Sequence, residues 1–143
     1  MSWCKYIVGD SRNLEVVFKS KRLRAADLIL SSPPYFNLLN YDNAKNQIGQ
    51  NQTYDEYLLD VVNVFQQCYR VSKPDATMWL VVDTIRHSGK IRALPFEITS
   101  KLSEKFGKNT WNLKDVIVWN KGKNIPWHSK GRFKNQFEYV LFF

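Results

Sequence analysis

The chain has 143 residues, 44% hydrophobic and 24% charged, which is the composition of one folded domain and excludes a disordered tail. Lys and Arg outnumber Asp and Glu by 21 to 13, a net charge of +8 that favours a polyanionic partner. No apolar run is long enough for a membrane span and no signal peptide is evident, so a soluble, cytoplasmic protein without a membrane is expected. Cys4 and Cys68 belong to no Cys/His cluster; no metal site is predicted, and both thiols are expected to be reduced and packed.

In chain order, Lys5 to Val8 reads as a short strand closed by Gly9-Asp10. Ser11 can cap a helix over Arg12 to about Lys19, with Leu14, Val17 and Phe18 on one side. The run "DLILSS" reads as a compact buried strand ended by the double proline of Ser32-Pro33-Pro34-Tyr35. Phe36 to Gln52 is a long polar loop without periodicity. Thr53 and Glu56 have capping-box spacing, and Tyr54, Tyr57, Leu58, Val61, Val64, Phe65 and Cys68 follow at helical intervals. "SKPDA" is read as the stop of that helix, "TMWLVVD" as a second buried strand, and "TIRHSGKIRA" as an irregular basic loop. A further helix is expected from near Pro95 to Gly107, then strands in "LKDVIVWNK" and "FEYVLFF" flanking the basic loop "GKNIPWHSKGRFKNQ". The alternation predicts an α/β fold with a mainly parallel sheet and an antiparallel pair at its C-terminal end.

Ligand sites in such sheets lie beyond the carboxyl ends of strands, and the double proline occupies that place. Neither proline has an amide hydrogen, so the backbone cannot continue a ladder while its carbonyls remain free to accept. Ser32 adds a hydroxyl and Tyr35 a flat ring, a set suited to a planar group that carries an amine.

Ser32-Pro33-Pro34-Tyr35 resembles the catalytic motif of the amino-methyltransferases that modify exocyclic nitrogens of bases in DNA. "VGDSRN", "TYDEYL", "VSKPDATMWLVVD" and "VIVWNKGKNIPWHSKGRFKNQFEYVLFF" resemble further landmarks of that family in the same order, with Asp75-Ala76 where two glycines are usual. The resemblance implies a partial Rossmann-like methyltransferase sheet, S-adenosylmethionine as cofactor, double-stranded DNA as partner and a flipped base stacked on Tyr35. Ser32, Pro33, Pro34 and Tyr35 would be catalytic, and Asp10 and Ser31 would line the cofactor pocket. Serine in the first position leans towards N4 of cytosine over N6 of adenine, in a restriction-modification setting. Asp10 reads equally as a cap of the next turn. Trp127 reads as a contact to DNA or the flipped base, and Lys121, Lys123, Lys130, Arg132 and Lys134 as either a phosphate-contacting stripe or a solvated face. Trp119 is expected in the core, Glu138 as a structural partner, and His87 and His128 as loop residues near phosphate.

The resemblance also leaves a gap. None of the six glycines forms a Gly-x-Gly turn of the kind with which the family binds its cofactor, and most of the target-recognition region has no counterpart. Residues 1–143 are therefore expected to be a catalytic portion (a split subunit, a truncated reading frame or a fragment) whose sheet edge is covered by self-association or a second chain. A catalytically inactive nucleic-acid-binding or assembly module is the alternative.

Overall fold

A computed structural model describes residues 4–37, 46–122 and 135–143. Asp10 caps a 3-10 turn over Ser11–Asn13 that runs into helix α1, Leu14–Lys21. The cap is thus Asp10 and not Ser11, because the Asp10 carboxylate reaches the Arg12 amide at 2.9 Å. Strand β1 covers Ala26–Ser31, helix α2 Tyr54–Arg70 and strand β2 Ser72–Val82. Hairpin strands β3, Ile85–His87, and β4, Lys90–Arg92, precede helix α3, Leu94–Phe106. Strands β5, Asp115–Asn120, and β6, Phe137–Phe142, complete the described elements.

The capping box of α2 is formed as its spacing predicts. The Thr53 amide donates to the Glu56 carboxylate at 2.7 Å, and the Glu56 amide to the Thr53 hydroxyl at 3.3 Å. The "SKPDA" segment behaves differently from expectation: after Val71 the chain enters β2 directly, and Ser72 already pairs with Ala26. A register shift between Ala26 and Leu28 absorbs the irregularity opposite the Pro74 region, where the ladder needs no proline amide. "TIRHSGKIRA" is a β-hairpin and not an irregular loop. Its two turn residues, Ser88 and Gly89, both have positive φ (50° and 76°), the backbone that matches a two-residue turn to the strand twist.

The main sheet has the order β1-β2-β6-β5. β1 pairs with β2 in parallel, and β6 pairs antiparallel with both β2 and β5. Three strands, β1, β2 and β5, therefore point one way and β6 runs against them, with the antiparallel pair at the C-terminal end as expected. Helices α2 and α3 cover one face, where Met78, Leu80, Val82 and Leu141 are wholly buried against Tyr57, Val62, Ile98 and Leu102.

The other face is open. Alternation along paired strands places Leu28, Leu30, Trp79, Phe142, Ile117 and Trp119 on it, with Trp79 and Phe142 stacked at 4.4 Å. β1 is thus not the two-sided buried strand its composition suggests: Leu28 is 55% and Leu30 70% exposed. Trp119 is likewise half-exposed and not part of the core. The expected strand at Lys5 to Val8 is absent, and Tyr6 and Val8 are fully exposed. The physical reason is pairing: among the described residues no strand lies beyond β1, so this segment has no ladder to join. Cys4 is exposed and only Cys68 is packed; burial pushes the Cys68 thiol up to about 11.

Candidate active site

β1 delivers the double proline to the carboxyl end of the sheet, next to the end of β2 at Asp83. Ser31 is half-buried and pairs with Leu80, Ser32 is exposed and Pro33 is buried. Tyr35 is half-buried. Its phenol lies near the Ser32 side chain and the Asp83 backbone. Burial, followed by the negative charges of Glu138 and Asp83, pushes it up to about 12, so it stays neutral at every physiological pH.

Two carboxylates therefore share this corner. Asp83 accepts from the Thr84 amide at 2.6 Å and from the Asn135 side chain. Burial holds its carboxyl above the usual range against the opposing pull of the Thr84 amide and the Lys121 charge. Glu138 is paired with Lys121. Lys121, directly after β5, is thereby held at the Glu138 carboxylate on the neighbouring strand β6. Trp127, Lys123, Lys130, Arg132, Lys134 and His128 lie outside the described residues.

Behind the motif sits an aromatic cluster. Phe36, buried to 6% exposure, packs on Tyr54, Tyr57 and His87 with ring centroids 5.5, 5.3 and 4.9 Å away. His87 stands on β3 against this cluster and not in the loop expected from sequence. Arg92 lies 4.1 Å above the Tyr54 ring and pairs with Glu97 at 2.9 Å, which fastens the hairpin to α2 and α3.

Asp10 is engaged elsewhere. Arg12 grips its carboxylate through Nη2 at 2.8 Å and Nε at 3.0 Å, and this hydrogen bonding holds it below the usual aspartate range. Arg12 also lies 3.7 Å from Asp60, which accepts from the Gln52 side chain at 2.8 Å. The Gln52 carbonyl oxygen in turn takes the Gly49 amide at 2.7 Å, and the Gly49 carbonyl takes the Asn37 amide at 2.9 Å. One polar chain therefore runs from Asp10 to the residues that follow Tyr35. Gly49 needs its positive φ of 90° here, and an added Cβ would meet the Tyr35 carbonyl and the Phe36 Cα at 3.5 Å.

Asp83 and the Gly49 contact were not singled out from sequence. The position of Asp83 at the end of "TMWLVVD" was the available signal, since ligand sites gather at strand carboxyl ends. Among the described residues no group of three or more His, Cys, Asp or Glu could hold a metal ion, and no helix is long and apolar enough to cross a membrane.

A family model described as DNA methylase (N6_N4_Mtase) matches residues 26–143. The chain belongs to this DNA methylase family. It is 28% identical to the type II methyltransferase M.SmaI of Serratia marcescens, covering 96% of this chain and 54% of that protein. It is 31% identical to the type II methyltransferase M.MwoI of Methanothermobacter wolfeii, covering 97% of this chain and 20% of that protein. Among solved structures, the cytosine-N4-specific PvuII DNA methyltransferase superposes with a TM-score of 0.65 at 19% identity, over 94% of this chain and 46% of that one. TTHA0409 of Thermus thermophilus, a DNA modification methylase in name, superposes with a TM-score of 0.62 at 23% identity, over 94% and 51%. At these identities the superpositions establish the fold. The DNA methylase chain thus spans about half the length of M.SmaI and a fifth of M.MwoI.

Proposed function

We propose that this chain is the catalytic portion of an S-adenosylmethionine-dependent DNA methyltransferase that presents the exocyclic amine of a flipped base, N4 of cytosine in preference to N6 of adenine. The observation that carries the reading is the Ser32–Tyr35 corner, held at the carboxyl end of β1 with its phenol neutral and two carboxylates beside it. The Pro34 carbonyl is occupied by the Tyr57 hydroxyl at 2.8 Å. That leaves the Pro33 carbonyl and the Ser32 hydroxyl as acceptors for the two amine hydrogens, with the Tyr35 ring beneath the base.

Acceptors aimed at an aryl amine favour a pyramidal nitrogen and free its lone pair from the ring, so orientation and electrostatics do the work. Asp83, at the end of β2 beside the corner, is the group that takes up the proton the amine sheds on methylation. Ser32 in the first position of the motif supports the preference for cytosine. M.SmaI and M.MwoI are type II methyltransferases by name, which supports a restriction-modification setting.

The cofactor fits this chain only in part. Asp10 and Ser31 suit the rim of an adenosyl pocket, but Asp10 is bound to Arg12 and no Gly-x-Gly turn is present in the sequence. S-adenosylmethionine would supply the methyl group; what the present residues do is hold and orient its acceptor. The open apolar face supports a partner that completes the cofactor site, either a second polypeptide or another copy of this chain, and the basic balance supports double-stranded DNA as the substrate.

The test is methyl transfer with labelled S-adenosylmethionine and mixed-sequence DNA, digested to nucleosides, with the chain alone and with the cofactor-binding half of a relative added. Label in N4-methylcytosine that disappears in Tyr35→Ala is the expected result. Label in N6-methyladenine would correct the base. DNA binding that ignores both S-adenosylmethionine and Tyr35→Ala, with no label in the complemented mixture, would replace this reading by the inactive binding module.

A further inference from the structure

Tyr57 lies on α2, is completely buried, and is 23 positions away in sequence from the proline it touches. Its hydroxyl donates to the Pro34 carbonyl at 2.8 Å, and its ring packs on the Phe36 side chain with centroids 5.3 Å apart. Pro34 and Phe36 flank Tyr35 on either side. One side chain therefore anchors the peptide before Tyr35 and packs against the residue after it, which restricts the backbone dihedrals of Tyr35 and the direction of its side chain.

The hydroxyl itself has little freedom. The Tyr57 ring is wedged between Phe36 at 5.3 Å and Tyr54 at 5.8 Å, and its edge stands 3.5 Å from where a Cβ on Gly49 would be. The hold is also needed chemically. Pro34 is half-buried, and a carbonyl left unpaired so near the core would favour another path for the turn.

We infer that Tyr57 is a positioning residue of the base pocket, its buried hydroxyl setting the orientation of the Tyr35 ring and reserving the Pro34 carbonyl so that the Pro33 carbonyl is the one offered to the base. This rests on the reading of Tyr35 as the base-stacking residue. It extends that reading to a helix that contributes nothing to the motif in sequence and does not touch the base.

Tyr57→Phe keeps the ring and removes the hydroxyl. Two measurements on the full chain test it. The first is amide exchange at Asn37, whose amide is held by the Gly49 carbonyl in the turn after Tyr35, expected to be protected in the wild type and at least about tenfold faster in Tyr57→Phe, well beyond any change in the α3 amides. The second is quenching of a pyrrolocytosine placed in a single-stranded oligonucleotide, expected to weaken at least about tenfold in apparent affinity in Tyr57→Phe. Leu58→Ala, a buried change on the same helix that leaves the hydroxyl in place, is expected to lower stability without altering capture of the base.

An Asn37 amide exchanging at the rate of unprotected coil in the wild type would mean that the turn after Tyr35 is not held, and overturns the inference even if Tyr57→Phe does not fold. So does a folded Tyr57→Phe that quenches like the wild type. If Tyr35→Ala also quenches like the wild type, the stacking role of Tyr35 has failed and this inference falls with it. If Tyr35→Ala abolishes quenching while Tyr57→Phe does not, only the positioning role fails.

Discussion

On one face of the sheet Met78, Leu80, Val82 and Leu141 are wholly enclosed by α2 and α3, whereas on the other Leu28, Leu30, Ile117 and Trp119 are 55, 70, 41 and 51% exposed. The residue types are alike, and along β2 the covered Met78, Leu80 and Val82 alternate with Thr77, Trp79 and Val81 of the other face. Hydrophobic content therefore says that a strand has something to bury on both sides, but not whether the covering elements are present. An apolar side chain stabilises a fold only to the extent that it leaves water. Burial on the helix-covered face is what stabilises the fold here, and the open face would add to it only under a covering element.

The largest effect should come from the covered face. Leu80→Ala removes a wholly buried β2 side chain from between the sheet and the helices, and is expected to cost about 2–5 kcal/mol in urea unfolding. Leu30→Ser, on the neighbouring strand but facing outward, should change the stability of the isolated chain by no more than about 0.5 kcal/mol. If self-association covers the open face, the same substitution should shift sedimentation towards the monomer. Equal stability costs at the two positions would break the contrast, because they would mean that the open face is already covered.

The difference between the faces also marks how far the sequence could be read. The capping box of α2, the pairing of β5 with β6 and the place of the double proline follow from local chemistry, and each is present. The hairpin at Ser88-Gly89 was legible in principle, since Ser-Gly between short strands is a turn signal, but the surrounding basic residues disguised it as a loop. Exposure of Trp119, the missing strand at Lys5 to Val8 and the packing of His87 could not be read from local pattern. Each depends on which element lies alongside, and that is a property of the assembled sheet. Tyr57 stood out from sequence only as a core position at helical spacing; its hydroxyl bond to Pro34 is tertiary.

A smaller effect tests the helix that builds the covered face. Thr53→Ala removes the acceptor for the Glu56 amide and should lower stability by about 1 kcal/mol, with helix content otherwise kept. A loss several times larger would mean that the start of α2 also holds the hairpin and the motif, through Tyr54 and Arg92. The two thiols report the same contrast without mutation. Cys4 is exposed and should react with a thiol reagent at pH 8, while Cys68, with its thiol pushed up to about 11 by burial, should react only on unfolding.

The smallest effect lies on the solvent side, at Asp10. Its carboxylate is held below the usual range chiefly by the Arg12 side chain, so the native state favours the ionised form. The resulting stability is present above the ordinary aspartate value of 3.8 and is lost as pH falls from there through the lower native value. With side chains 33 and 43% exposed, the pair is screened, and Asp10→Asn should cost no more than about 1 kcal/mol at pH 7. The gap between wild type and variant should close in acid, and it should shrink in high salt. A larger gap at neutral pH would show that the polar chain from Asp10 through Asp60 and Gln52 to Gly49 carries strain relief into the Tyr35 corner, and that the exposed end of the molecule is tied to its core more tightly than the contrast between the faces implies.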